Sequence, residues 1–288
     1  MFKPSLTHPR TRRAPISAIA AAGFTVAALA IATVVACSDS NTEPASPHLA
    51  YGPAQALGQG TARAYVTLDD AGKPTSLGVA LSENLMNGLP QTPLPGGGMS
   101  AADLILTLPA EGNVTGFNHV MLDWNPMGHE PAGVYTIPHF DFHFYTIATA
   151  DQMAIVPTDP QFNTKMESMP AETYRPVGMI KRPGGVPMMG AHWADPTSPE
   201  LLPPPQSQPF TRTFLYGSYD GHFIFYEPMI TKAHIESLKS VAGNTIKSSI
   251  KLPSSYEHPG YYPTTYTMTW NATAKEYRIA LDNLVQKN

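Results

Sequence analysis

The sequence predicts a mainly β domain of antiparallel sheets, sandwich- or barrel-like, with minor helices. Three observations carry this. Hairpin signals bracket the folded part: "ARAYVTL" and "SLGVALS" flank the turn-forming "DDAGKPT", and "TTYTMTW" and "EYRIALD" flank "NATAK". Between them, "ADLILTL", "FNHVMLDW", "YTIPHFDFHFYTI" and "TFLYGSYDGHFIFYEPMI" are rich in β-branched and aromatic residues. Finally, residues 137–147, "IPHFDFHFYTI", alternate His139, Asp141, His143 and Tyr145 with Phe140, Phe142 and Phe144. Side chains alternate faces along a strand, so this segment turns three aromatic rings to a core and a His-Asp-His row to the other side.

The N-terminal segment reads as an address. Lys3, Arg10, Arg12 and Arg13 precede an uncharged apolar run, Ile16 to Ala36, that ends in Val34-Val35-Ala36-Cys37. The ending resembles a bacterial lipoprotein signal, in which the cysteine becomes the lipidated first residue. An uncleaved N-terminal anchor is the competing reading, since the run almost spans a bilayer. Ser38, where an Asp would retain a lipoprotein at the inner membrane, implies by the same resemblance an outer-membrane lipoprotein facing the periplasm of the bacterial envelope. The expected organisation is therefore a signal peptide over 1–36, lipidation at Cys37, a polar, turn-rich tether over 37–58 and one β-rich domain over 59–288.

Cys37 is the only cysteine, which excludes an intramolecular disulfide, a second thiol and a Cys-based zinc site. Cleavage after residue 36 would remove four of the 18 basic residues and none of the 22 acidic ones, leaving a formal charge of −8. That balance argues against nucleic-acid binding. The partner it leaves is the membrane, through the lipid.

Along the domain, "LSENLMNGL" near residue 85 reads as helical. Residues 157–210 hold too many prolines for regular strands. Trp193 and several methionines within them imply an ordered excursion over the sheet. A helix is expected over 231–241, capped by Thr231, with Ile235 and Leu238 toward the core.

The histidines concentrate in motifs: "GHEPAGVY" with His129 and Glu130, the strand with His139 and His143, "MGAHWADPTSPE" with His192, and "YDGHFIFYEPM" with His222 and Glu227. Imidazole with carboxylate suits a divalent metal, zinc first, and the candidate ligands are His129, His139, Asp141, His143, His192 and Glu227. Spacing restricts their combinations. His139 and His143, four residues apart, lie roughly 13 Å apart along a regular strand, too far to share one ion. Asp141 beside either histidine is the better pair, with His143 preferred as its partner and His139 replacing Asp141 if the strand bulges. The metal-free alternative has Asp141 hydrogen-bonding an imidazole in a buried polar pocket. Glu227 must face the row to take part, Glu130 reads as the organiser of its own turn, and His222 is expected to face away from Phe223 and Phe225. His119, His234 and His258 lack a supporting motif. Met166, Met169, Met188 and Met189 near His192 raise copper as a less favoured metal, because methionine more often fills core gaps.

No GxSxG elbow, Walker loop or HExxH helix is present. "GTARAYVTLDDAGKPTSLGVALSE", "GHEPAGVYTIPHFDFHFY", "MGAHWADPTSPE", "YGSYDGHFIFYEPMIT" and "YPTTYTMTWNATAKEYRIAL" together resemble a family of secreted bacterial proteins and lipoproteins of unknown function, over nearly all of residues 59–284. The resemblance implies one β-rich domain and homo-oligomerisation, without a reaction. Likeness to cupins and α-type carbonic anhydrases is partial, since His139-Phe-Asp-Phe-His143 is longer than their HxH spacing. Three function classes follow: a metal-binding lipoprotein, a metal-dependent enzyme, and a structural homo-oligomer that uses the histidines only for hydrogen bonds.

Overall fold

The computed structural model describes residues 48–95 and 99–288; the expected signal peptide, Cys37 and the tether as far as residue 47 lie outside them. The described chain opens with β1 (His48–Tyr51), β2 (Gln55–Leu57), β3 (Gly60–Leu68) and β4 (Pro74–Ser82). A middle set follows: β5 (Ala102–Thr107), β6 (His119–Asn125), β7 (His139–Tyr145), β8 (Ile180–Lys181), β9 (Ala191–Ala194), β10 (Arg212–Tyr219) and β11 (His222–Thr231). The last three are β12 (Thr245–Ser249), β13 (Gly260–Asn271) and β14 (Glu276–Lys287).

The first four and last three strands form one sheet, ordered β1-β3-β4-β14-β13-β12 with β2 also on β3. The middle set forms the other, ordered β5-β6-β7-β11-β10-β9-β8. All pairings are antiparallel, and neither order returns on itself, so the architecture is mainly β and open rather than a closed barrel.

The two sheets share a core. Phe140, Phe142 and Phe144 are fully buried in it with Leu77, Val79, Leu81, Ile279 and Leu281 of the other sheet. Each ring so buried stabilises the fold by roughly 1.5–3 kcal/mol. The hairpin turns close on their own side chains: Asp69 Oδ1 accepts from the amides of Ala71 and Lys73, and Asn271 Oδ1 from that of Ala274.

The other face of the second sheet is covered as well. The helices α1 (Thr149–Met153) and α2 (Phe162–Glu167) and the proline-rich excursion overlie it. One apolar cluster there joins Tyr145, Phe225, Phe162 and Met166, and another joins Met229, Leu215, Phe210 and Tyr135. The His-Asp-His row lies along the strands between these two clusters. The helix α3 (Lys232–Ser237) continues as a 3-10 turn to Ser240. Thr231 Oγ1 caps it by accepting from the His234 amide at 3.2 Å, and Ile235 and Leu238 are fully buried, as the sequence predicts.

Several expectations need correction. Residues 48–57, assigned to the tether, form β1 and β2 on β3; strands of four and three residues around Gly52-Pro53 are too short to show periodicity. The helix expected near residue 85 is only a 3-10 turn, Glu83–Met86, which ends at Asn87-Gly88 after burying Leu85 and Met86. The stretch 212–231 is two strands, because Asp220 and Gly221 have φ of 53° and 83° and make the two-residue turn favoured in hairpins. Inside the excursion, β8 and β9 extend the sheet, and Trp193 enters the core with Nε1 donating to Ser218 Oγ at 2.8 Å.

Phe225 does not share a face with Phe223. Gly217 pairs with Phe225 and Ser218 with Phe223, leaving Ile224 as an extra residue in a β-bulge. Phe223 packs toward the core, whereas Phe225 turns to the histidine side. His222 itself sits exposed at the hairpin end, bonded to Glu257 at 2.6 Å.

Candidate metal centre

Three neighbouring strands build the floor. β6 sends Val120, Leu122 and Trp124 into the core, which leaves Asp123 and Asn125 on the covered face. β7 does the same with its phenylalanines and its His-Asp-His row. On β11, Tyr226 and Ile230 point inward and Glu227 and Met229 outward. Register then places the polar residues side by side. Asp141 pairs with Asp123 on one side and Met229 on the other, and Tyr226 pairs with Phe144, so Glu227 lies level with His143. Two further ligands arrive from outside these strands: His129 from the loop after β6, and His192 from β9.

The six residues singled out in the sequence form two triads, His129/His139/Asp141 and His143/His192/Glu227, each able to hold a metal ion with its ligand atoms within 4.8 Å of one another. Asp141 thus joins His139 and His129 rather than His143. Both histidines on its strand share its face; the neighbours decide. Asn125 Nδ2 donates to Asp141 Oδ2 at 2.8 Å and His129 Nε2 stands 3.2 Å from the same oxygen, while Glu227 lies level with His143. The strand needs no bulge for this, since His139 and Asp141 are two residues apart.

In the first triad, Nδ1 of His129 and of His139 each sits 2.7 Å from a backbone carbonyl, of Glu130 and Ile137 respectively. Those contacts place the proton on Nδ1, because a carbonyl only accepts. They leave Nε2 free to bind a metal. Both Nε2 atoms face the Asp141 carboxylate at 3.2 Å, a lone pair toward an anion unless a proton or a cation lies between them.

In the second triad, His143 Nδ1 lies 3.3 Å from Asp123 Oδ2, and His143 Nε2 lies 3.4 Å from Glu227 Oε1. His192 Nε2 is 3.6 Å from Glu227 Oε2. Around a tetrahedral ion with bonds of about 2.1 Å, ligand atoms stand about 3.4 Å apart, longer than a charge-assisted hydrogen bond of about 2.7–2.9 Å. The histidine–carboxylate separations in both triads, 3.2–3.6 Å, lie near the first spacing. Phe225 packs its ring against His143 and His192, with centroids 4.9 and 5.4 Å away, and Gly217 makes room because a Cβ there would overlap the ring.

Unsatisfied polar atoms mark the same place. Among the described residues, seven buried side-chain nitrogen or oxygen atoms lack a hydrogen-bond partner, and six of them belong to Asp123, His139, Asp141, His143 and Glu227. Each such group costs about 1–3 kcal/mol, so their concentration in one row calls for a ligand.

The electrostatics agree. Burial pushes Glu227 up to about 8, against the pull of His143 and with help from Asp141 and Asp123. Burial, with Asp103 and Asp141 nearby, also raises Asp123 well above the usual carboxylate range. Burial opposes a charge on His129, but the Asp141 hydrogen bond and charge outweigh it and raise the imidazole to about 9. Asp141 is held far below its usual value: burial opposes its charge, and His139 and His129 overcome that. Burial, followed by the charges of His143 and His129, lowers His192 to about 3 and keeps it a neutral ligand. Three buried carboxylates in one row repel one another, and a divalent cation relieves that repulsion.

Other sequence candidates fall elsewhere. Glu130 Oε2 accepts from the Ala132 amide at 2.6 Å and organises its turn. His119, on the same face of the sheet, is satisfied by Gln152 at 2.7 Å and stacked on Tyr145. His234 lies 3.2 Å from Arg212, away from the row. Met166 and Met189 pack in the apolar cluster beside the row, and Met169 is exposed.

The residue that sequence reasoning missed is Asp123. Its signal was present: "HVMLDWN" alternates His119, Met121, Asp123 and Asn125 with Val120, Leu122 and Trp124, the same pattern as the neighbouring strand. Asp123 Oδ2 stands 3.3 Å from His143 Nδ1, on the side of the ring opposite the Nε2 that faces Glu227.

Comparison with known proteins adds one finding. Residues 69–124 match the model of a family described as "TTHB210-like: Hypothetical protein TTHB210". The matched segment runs from the β3–β4 turn to Trp124 and includes Asp123 but none of the six triad residues. No curated protein and no solved structure matches the chain.

Proposed function

We propose that this chain is an envelope lipoprotein, anchored through Cys37, whose domain binds one divalent metal ion, zinc first, at each triad. The observation that carries the metal reading is the clustering of unpartnered buried nitrogen and oxygen atoms at ligand spacing on three adjacent strands. Zinc is preferred because nitrogen and carboxylate donors at tetrahedral spacing suit it. The anchor reading rests on the basic N-terminus, the apolar run and the lone cysteine.

When bound, the ion supplies charge that satisfies the buried carboxylates and, at an open coordination position, Lewis acidity. The chain's own residues then have distinct duties. His143, His192 and Glu227 would hold the ion, His192 and Glu227 from the cavity wall, and Asp123 would stand behind the His143 ring. Three protein ligands with one side toward a cavity is the arrangement of sites that exchange a ligand, which favours a ligand-binding or enzymatic metal over a purely structural one.

The test is elemental analysis of the full chain, purified in detergent without a histidine tag. Two equivalents are expected in the wild type and one in each of His129→Ala and His192→Ala. Substoichiometric metal in the wild type, or two equivalents in both variants, would remove the proposal.

A further inference from the structure

A cavity of about 510 Å³ opens above the row, and it reaches both triads through His129, His192 and Glu227. Its remaining wall carries one further cation. Arg182 lines the cavity, and its backbone amide donates to the His192 carbonyl at 2.7 Å, which fixes it beside the second triad. Among the described residues the guanidinium pairs with no carboxylate. Glu130, also at the cavity, is engaged by the Ala132 amide, and Glu227 belongs to the triad.

The other walls are apolar, from Pro131, Val186, Leu201 and Leu215. We infer that the cavity binds a small organic acid, its carboxylate placed between Arg182 and the metal of the His143/His192/Glu227 triad and its hydrocarbon part against the apolar walls. The guanidinium fork matches a carboxylate with two parallel hydrogen bonds, and the metal accepts the same anion at the position its three protein ligands leave open. An inorganic anion would satisfy the arginine but leave the apolar walls wet. An uncharged ligand would leave the arginine unpaired. The volume is ample for a six-carbon acid and falls within the range of small-molecule sites.

This inference rests on the metal reading only for one half of the anion's contacts. The experiment therefore measures metal content and ligand binding separately. Hexanoate, hexanol and inorganic phosphate are titrated calorimetrically into the zinc-loaded full chain and into Arg182→Gln and Arg182→Lys, each with its zinc content determined. Hexanoate is expected to bind best. Arg182→Gln should weaken it at least about tenfold at unchanged zinc content, and Arg182→Lys should recover part of that loss. Equal hexanoate affinity in Arg182→Gln and the wild type would overturn the inference, as would hexanol binding as tightly as hexanoate. Phosphate binding as tightly as hexanoate would overturn the organic acid. A chain that holds no zinc would refute the metal reading alone; Arg182-dependent hexanoate binding would then still support the carboxylate site, and its absence would refute it.

Discussion

On loading the two triads at neutral pH, Glu227 and His129 should together release about two protons per chain. Metal ligands must be deprotonated, and two of the six are held protonated in the metal-free fold. Glu227, pushed up to about 8, and His129, raised to about 9, are each at least about nine-tenths protonated at pH 7. Their share of the release should fall to roughly 0.6 protons at pH 9, where only half of His129 and a tenth of Glu227 still carry one. Zinc titrations in buffers of different ionisation enthalpy read this count directly as a slope. The same groups set the stability of the metal-free chain. Both have folded values above their unfolded ones, so the stability they supply is complete below about 4.5 for Glu227 and about 6.5 for His129, and is lost as pH rises through 8 and 9. His192, depressed to about 3, works oppositely: its contribution is present above about 6.5 and lost as pH falls toward 3. Between pH 6 and 9 the metal-free Tm should therefore fall, and zinc should remove most of that fall. Zero proton release at pH 7, or release that grows between pH 8 and pH 9, would refute Glu227 and His129 as protonated ligands of the metal-free site.

Phe142→Ala, which opens a cavity in the core between the sheets, should cost about 3–5 kcal/mol in denaturant unfolding, whereas Asp141→Asn should cost less and lose one metal equivalent. Equal losses of stability would mean that the polar row supports the fold as strongly as the rings do. Asp123→Asn keeps all six ligands but alters the partner of His143 Nδ1; competition with a chelator should show second-triad zinc affinity down about 10–100-fold with both equivalents still bound at saturation. Unchanged affinity would remove Asp123 from the site.

What the sequence revealed follows from the length over which its patterns run. Seven alternating residues in β7 are enough to separate the phenylalanine face from the His-Asp-His face, and a carboxylate at Glu227, embedded in an apolar strand, has to be either paired or solvated. The division into two triads depends instead on which strand lies beside which. β6 and β11 flank β7, and nothing local to residues 139–145 says that Asn125 and His129 would draw Asp141 one way and Glu227 would draw His143 the other. The bulge at Ile224 is hidden for a similar reason. One extra residue reverses Phe225, and its cause is Gly217 on the paired strand, where the ring needs the space. Asp123 escaped although its strand alternates cleanly, because a single aspartate without a nearby histidine motif resembles any solvated strand residue. β1 and β2 were illegible because they gain their stability from pairing with β3 rather than from a pattern of their own.

Zinc-edge X-ray absorption on the loaded full chain sees the atoms bound to the metal and so reads the ligands of the two triads themselves. Nitrogen and oxygen ligands only are expected, at about 2.0–2.1 Å, with the outer-shell scattering of imidazole from two histidines per ion. A sulfur neighbour near 2.3 Å, or a first shell of oxygen without imidazole, would contradict metal binding at the triads.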